Sequence, residues 1–288
     1  MKISVSSYSF QQYIRQGKMT QFDCVAKAKE LGFDAIEFID LDGAPDLALQ
    51  KENARKIRAE AERLGMEINA YTIGGCLFKP TQEEMDAEVE RLKGQVEVAA
   101  ELGAKILRHD VCYTLTKTGK GRSFDLMLPD IAANARKITE YAQTLGIRTC
   151  TENHGYIAQD SDRVERLFNA VAHDNYGLLC DMGNFLCVDE DPAIAVSRVA
   201  PYAIHVHIKD MLYRKEPFSG SYFPSRGGNY LRGTVVGEGD VPVKQCLRIL
   251  FKAGYEGFVS LEYEGVEDCI DAIGRGLSNI KAILSEIC

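Results

Sequence analysis

Short apolar, β-rich runs alternate with longer stretches in which apolar residues recur every three or four positions, from one end of the chain to the other. The runs predict strands at 2–6, 34–39, 67–72, 104–109, 147–152, 176–181, 203–208 and 258–263. The stretches predict helices at 20–31, 46–64, 82–102, 127–145, 160–172, 191–199, 242–253 and 266–286. Leu31-Gly32, Leu64-Gly65, Leu102-Gly103, Leu145-Gly146 and Ala253-Gly254 each set a glycine just past a helix, where a left-handed C-cap is cheapest. This repeated helix-Gly-strand punctuation predicts parallel strands with helical crossovers. Eight such units predict one α/β domain over 1–288, a closed (β/α)8 TIM barrel rather than an open sheet.

One segment departs from the alternation. Residues 211–240, after the seventh strand, have no convincing periodicity and read as a long loop. Its aromatics Tyr213, Phe218, Tyr222, Phe223 and Tyr230 are costly to leave in water, which points to a lid, a substrate wall or a contact in a homo-oligomer.

Composition narrows the function classes. Of the 288 residues 45% are hydrophobic and 26% charged, ordinary for a globular chain, and the formal net charge of −8 argues against a nucleic-acid partner. Nine cysteines form no CxxC pair and no metal-finger spacing, and most sit in apolar runs, as expected of a reducing cytoplasm. Met1-Lys2-Ile3-Ser4-Val5 opens no secretory signal, and no apolar stretch approaches the ~18 residues of a membrane span, so no membrane partner is expected.

In a barrel of this type the C-terminal strand ends carry the chemistry. The last polar residues of strands five to eight are Glu152, Asp181, His207 and Glu262, one metal-capable side chain on each of four consecutive strands. Three carboxylates brought together without a cation repel and raise one another's pKa values, and a divalent ion resolves that conflict. Three oxygen donors and one imidazole suit Mn²⁺ first, with Mg²⁺, Co²⁺ or Zn²⁺ as the other choices. Period-two alternation also sets His154 on the face of Glu152, and His205 on that of His207.

The chain resembles the xylose-isomerase-like TIM barrels, a family of sugar and sugar-phosphate isomerases, ketose 3-epimerases and inosose-processing enzymes, with apurinic endonucleases as distant members. The motifs that carry the resemblance are Thr151-Glu152-Asn153-His154-Gly155, Cys180-Asp181-Met182-Gly183-Asn184, His205-Val206-His207-Ile208-Lys209-Asp210, Gly237-Glu238-Gly239-Asp240 and Ser260-Leu261-Glu262-Tyr263-Glu264-Gly265. The resemblance implies that Glu152, Asp181, His207 and Glu262 bind one catalytic divalent metal, with Glu152 and Glu262 also the acid/base pair. Two departures matter. Many members carry histidine where Asn184 stands, and the extra Asp-x-His of the endonucleases is replaced within Leu231-Arg232-Gly233-Thr234.

The reading that follows is a metal-dependent isomerase or epimerase acting on a keto-sugar, sugar phosphate or related polyol through an enediolate. A lyase that uses the same enolate, dehydrating a keto-cyclitol or cleaving a 3-keto-glycoside or C-glycoside, is the alternative, with His154 or His109 serving the leaving group. A barrel that only binds sugar is a third. Lys209, Arg232, Glu37 and His109 are expected to contact substrate, and with no Walker or dinucleotide glycine motif, no nucleotide cofactor is expected.

Overall fold

A computed structural model describes residues 1–287; Cys288, one of the nine cysteines, lies outside the described residues. The barrel strands are β1 (Lys2–Ser6), β2 (Ala35–Ile39), β3 (Glu67–Ile73), β4 (Ile106–His109), β5 (Arg148–Glu152), β6 (Tyr176–Asp181), β7 (Ala203–Ile208) and β8 (Phe258–Leu261). Each pairs in parallel with its sequence neighbours, and β1 closes on β8 through Ile3 opposite Val259. Around them run α1 (Cys24–Leu31), α2 (Leu47–Leu64), α3 (Gln82–Leu102), α4 (Phe124–Thr144), α5 (Ser161–Val171), α6 (Pro192–Val199), α7 (Val243–Lys252) and α8 (Cys269–Ser285). The closed eight-unit barrel expected from the sequence is therefore the fold.

The boundaries follow local chemistry. The α3 helix begins in a capping box, Thr81 Oγ1 accepting from the Glu84 N–H while the Glu84 carboxylate accepts from the Thr81 N–H. It ends at Gly103 with φ +82°, a conformation that a side chain strains. The α4 helix starts at Phe124, three residues earlier than expected, because Ser123 Oγ accepts the Asp125 N–H. No described helix is long and apolar enough to cross a membrane.

Alternation sorts the strand residues into two layers. Val206, Ile208, Ile36, Phe38 and Val259 are fully buried between barrel and helices. The intervening residues of the same strands, His205, His207, Glu37 and Ser260, are equally buried but polar, so the interior of this barrel is lined with hydrogen-bonding groups. Branched apolar residues usually fill that space.

The segment at 211–240 corrects the sequence reading. It holds a three-stranded antiparallel sheet, Asp210–Arg214 and Phe223–Pro224 flanking Tyr230–Thr234. Short strands and a glycine-rich turn hide the pattern, although Met211 and Leu231 are fully buried. The sheet is closed at its base by Asp210, whose carboxylate accepts from the N–H groups of Met211, Gly237, Gly239 and Val241 at 2.9–3.1 Å. Glycine is required at 239, since a Cβ there would lie 2.1 Å from Asp210 Oδ1. The aromatics pack within the excursion: Phe218 lies under the Arg214 and Arg232 guanidinium groups, and Tyr222 meets Tyr230 edge to face.

Candidate metal and proton-transfer site

At the C-terminal end of the barrel, strands β5, β6 and β7 and the residue just past β8 deliver Glu152, Asp181, His207 and Glu262 to one point. One ligand atom from each lies within 4.8 Å of all the others. Register explains the convergence: Asp181 on β6 pairs with His207 on β7, and His207 pairs with Ser260, two residues before Glu262. All four side chains are buried.

The arrangement fits a divalent cation. Asp181 Oδ2 and His207 Nδ1 are buried with no hydrogen-bond partner, and both face the cluster: Nδ1 is 3.7 Å from Glu152 Oε1, 3.8 Å from Asp181 Oδ2 and 3.7 Å from Glu262 Oε1. The second Asp181 oxygen is occupied, accepting from the Gly183 and Asn184 N–H groups, so the carboxylate cannot swing away. Burial pushes the Asp181 pKa up, and Lys209 opposes that while Glu152 and Glu262 add to it. Three carboxylates thus meet at one buried point, where a cation would relieve their repulsion.

Each glutamate has its own buried cation. Glu152 Oε2 is 2.5 Å from Arg108 Nη2, and Glu262 Oε2 is 2.6 Å from Lys209 Nζ. Burial acts against ionisation of Glu262, and Lys209 and His207 outweigh it, holding its pKa below the usual range. Burial likewise disfavours the Lys209 ammonium, but Glu262, Glu264 and Asp181 raise its pKa well above the ordinary value. Asn184 donates from Nδ2 to Glu152 Oε1 at 2.8 Å, so the residue that departs from the family pattern holds a carboxylate in place.

Behind His207 sits Glu37, fully buried across the barrel. Its Oε1 is 2.6 Å from His207 Nε2, and its Oε2 bonds His205 Nε2. Burial pushes the Glu37 pKa up, and the two histidines more than reverse that. Glu37 therefore lies behind His207 and does not line the cavity, where the sequence reading expected it to contact substrate.

The cavity over the cluster has a volume of 260 Å³, just below the ~300 Å³ at which small-molecule sites usually begin. Glu152, Glu262, His207, His154 and Lys209 line it, as expected. His109 and Arg232 do not. Of the adjacent pair Arg108 and His109 on β4, Arg108 enters the cavity, and His109 points into the wall, fully buried, with Nδ1 against the Asp110 carbonyl. Arg232 lies out on the excursion against Phe218, and none of 211–240 lines the cavity, so the aromatic segment is no substrate wall here. Instead it braces the loop after β5, through Tyr156 OH donating to the Pro224 carbonyl and an Arg226–Asp160 ion pair.

Sequence reasoning missed Asp110 and Tyr113. Asp110 Oδ1 is 2.9 Å from Arg108 and 3.1 Å from His154 Nδ1, and Oδ2 accepts from the Tyr113 hydroxyl at 2.7 Å. Burial raises the Asp110 pKa, but Arg108 and His154 bring it down to about 2. Burial lowers that of His154, and the Asp110 contact more than restores it. A signal existed: Arg108 and Asp110 share one face of an apolar strand end, where unpaired charges are not tolerated.

Comparison with known proteins agrees with the barrel fold. The xylose isomerase-like TIM barrel family matches residues 25–283. The chain is similar to the rhizopine catabolism protein MocC of Rhizobium meliloti, 28% identical over 220 residues, 69% of this chain and 63% of MocC, so it spans less than two thirds of that relative. It is also similar to an inosose dehydratase of Lacticaseibacillus casei, 24% identical over 137 residues, 46% of each chain. Among solved structures, the IOLI protein with a bound zinc atom superposes with a TM-score of 0.79 at 16% identity, covering 100% of this chain and 99% of IOLI, a likeness of fold.

Proposed function

Because this chain belongs to the xylose isomerase-like TIM barrel family, we propose that it is a divalent-metal-dependent isomerase or epimerase of a keto-sugar, sugar phosphate or related polyol. The observation that carries the reading is the pair Glu152 and Glu262. They come from the two ends of an arc of four strands, line one cavity, and are each paired with a separate buried cation.

Glu152, Asp181, His207 and Glu262 would hold the divalent ion, for which we propose Mn²⁺, and bound there it would supply Lewis acidity toward a carbonyl and its neighbouring hydroxyl, making the carbon that carries the hydroxyl more acidic. Glu152 or Glu262 then takes that proton from one side, and the other returns a proton from the opposite side, which inverts the centre. Lys209, with its ammonium on Glu262, keeps that carboxylate ready to accept a proton and lies beside any anionic oxygen formed next to it. The small, polar cavity suits a sugar or cyclitol ring. The free, mostly buried cysteines fit a reducing compartment, and we assign the protein to the cytoplasm on that ground.

A second reading, elimination from a keto-cyclitol or keto-glycoside, is favoured by the contact of Asp110 with His154. That contact occupies Nδ1 and leaves Nε2 to protonate a leaving group. Solvent-deuterium wash-in over free and phosphorylated ketoses, inososes and 3-keto-glycosides, on the Mn²⁺-loaded protein, decides between the two. Label at the carbon beside the carbonyl, with the carbon skeleton intact, supports isomerisation or epimerisation. A new C=C bond or a released aglycone supports elimination, and metal binding with neither label nor an elimination product from any compound overturns both.

A further inference from the structure

Strands β5 to β8 deliver the four candidate ligands, so the other half of the ring, β1 to β4, bounds the side of the cavity across from them. Asp40, the first residue past β2, lines that side at the mouth, and β2 stands opposite β6, the strand of Asp181.

The backbone of Asp40 is unusual for its residue type. Its φ is +38°, in the left-handed region where a β-carbon is strained and glycine is not. The surroundings hold it there. The Asp40 N–H donates to the Thr72 carbonyl at 3.0 Å, and buried Gln21 donates from Nε2 to the Ile39 and Asp40 carbonyls while its Oε1 accepts from the Asp42 N–H. Glycine would meet every one of these backbone bonds without strain, so the carboxylate is what aspartate adds. Strain kept at the edge of a cavity points to use of the side chain.

The polar groups around it are already satisfied. Arg108 gives Nη2 to Glu152 and Asp110 and Nη1 to the Ile73 carbonyl, and Asp110 is filled by Arg108, His154 and Tyr113. Arg91, behind the rim, is held by Glu88 and the Gly74 carbonyl. Asp40 stands in no ion pair among the described residues, and Arg108 and Arg91 act on it only through space. Among the described residues this side of the cavity therefore offers a ligand an open carboxylate and no open cation. An ionised carboxylate only accepts hydrogen bonds, which hydroxyl groups supply, and it repels a phosphate.

We propose that Asp40 is a specificity-determining residue, accepting hydrogen bonds from neighbouring hydroxyls on the end of the substrate away from Glu152, Asp181, His207 and Glu262, and so selecting an unphosphorylated substrate over a phosphate ester. This rests on the keto-sugar reading above and narrows its substrate range. Binding energy from the remote hydroxyls is then available to the reacting centre.

The test follows turnover by the Mn²⁺-loaded protein, as deuterium label or elimination product, over the free ketoses, inososes and 3-keto-glycosides named above and over D-fructose 6-phosphate and D-ribulose 5-phosphate. Wild type and Asp40→Gly are compared, with thermal melting of each. In wild type no phosphate ester is expected to exceed about a tenth of the kcat/KM of the best free compound. Asp40→Gly is expected to lower kcat/KM for that compound by about tenfold or more, at a melting temperature equal to or above that of wild type. A phosphate ester preferred by wild type, an unchanged kcat/KM in the variant, or a loss accompanied by a lower melting temperature overturns the role of Asp40 and leaves the keto-sugar reading standing. Neither label nor elimination product from any compound, while Mn²⁺ still binds, overturns the keto-sugar reading, and the role of Asp40 with it.

Discussion

Glu37 and His207 stand in contact across the barrel, Oε1 to Nε2 at 2.6 Å, on the side of the imidazole away from Glu152, Asp181 and Glu262. A carboxylate at ion-pair distance there favours a proton on Nε2 over one on Nδ1, the nitrogen that faces the cluster. Glu37→Gln offers one acceptor to two histidines. It is expected to weaken Mn²⁺ or Co²⁺ binding by about 10–100-fold and to shift the visible spectrum of the Co²⁺ form. Unchanged affinity and spectrum would show that Glu37 only fills space.

Arg108 bridges Glu152 and Asp110 inside the protein. Arg108→Ala leaves two buried carboxylates without their cation and is expected to cost about 3–5 kcal/mol in chemical denaturation. Arg108→Lys, with one ammonium in place of a planar fork, recovers only part of this. Full recovery by lysine would contradict the bridging role.

Glu152→Gln and Glu262→Gln are each expected to cut deuterium wash-in by about 10²-fold or more. His154→Ala separates the two chemistries: an isomerase or epimerase keeps wash-in, whereas a lyase keeps wash-in and loses product release. Retained wash-in in both glutamine variants would falsify the paired-base assignment.

A cation that binds only the folded cluster stabilises it by mass action, about 2.7 kcal/mol at a hundredfold excess over Kd. Mn²⁺ is expected to raise the melting temperature and EDTA to reverse the rise. In Asp181→Asn, where Oδ2 loses its charge, the shift should be absent.

The excursion has its own anchor in Asp189, whose carboxylate accepts from Ser225, Asn229 and Tyr213 side chains and from the Gly227 N–H. Burial raises its pKa, and these donors outweigh burial, leaving it below the ordinary aspartate value. A depressed folded-state value means that the anchoring is complete above about pH 4 and is lost as the pH falls through the folded value. Limited proteolysis within 215–229 should rise at acid pH, and at neutral pH in Asp189→Ala. Equal protection in wild type and variant would remove Asp189 as the anchor.

Much of this molecule is legible in its sequence because the signals are local. Gly32, Gly65 and Gly103 carry the left-handed φ values their positions announced. Of the four candidate ligands, Glu152 and Asp181 close their strands, His207 is the penultimate residue of β7 and Glu262 lies one residue past β8, where alternation alone selects the face. Choosing between the adjacent Arg108 and His109 needs the register of β4 against β5, Arg108 opposite Cys150, which only the closed barrel supplies. The role of Glu37 depends on His205, 168 residues away, and no local pattern encodes that pairing. The excursion's strands escaped because one of them is only two residues long.

Strand β7 ends in a division of labour between neighbours: His207 and Lys209 turn into the barrel, and Asp210 turns out to clamp Gly237, Gly239 and Val241. The excursion is therefore a cassette clamped at its base by Asp210 and held farther out by Asp189 and the loop after β5. The candidate metal ligand His207 lies three residues upstream of that clamp, so a change in the excursion that keeps the clamp and the contacts to the loop after β5 is expected to leave it undisturbed. One barrel can in this way be refitted around the same chemistry, and a graft that keeps Asp210 and the Gly237–Val241 turn is the place to engineer it.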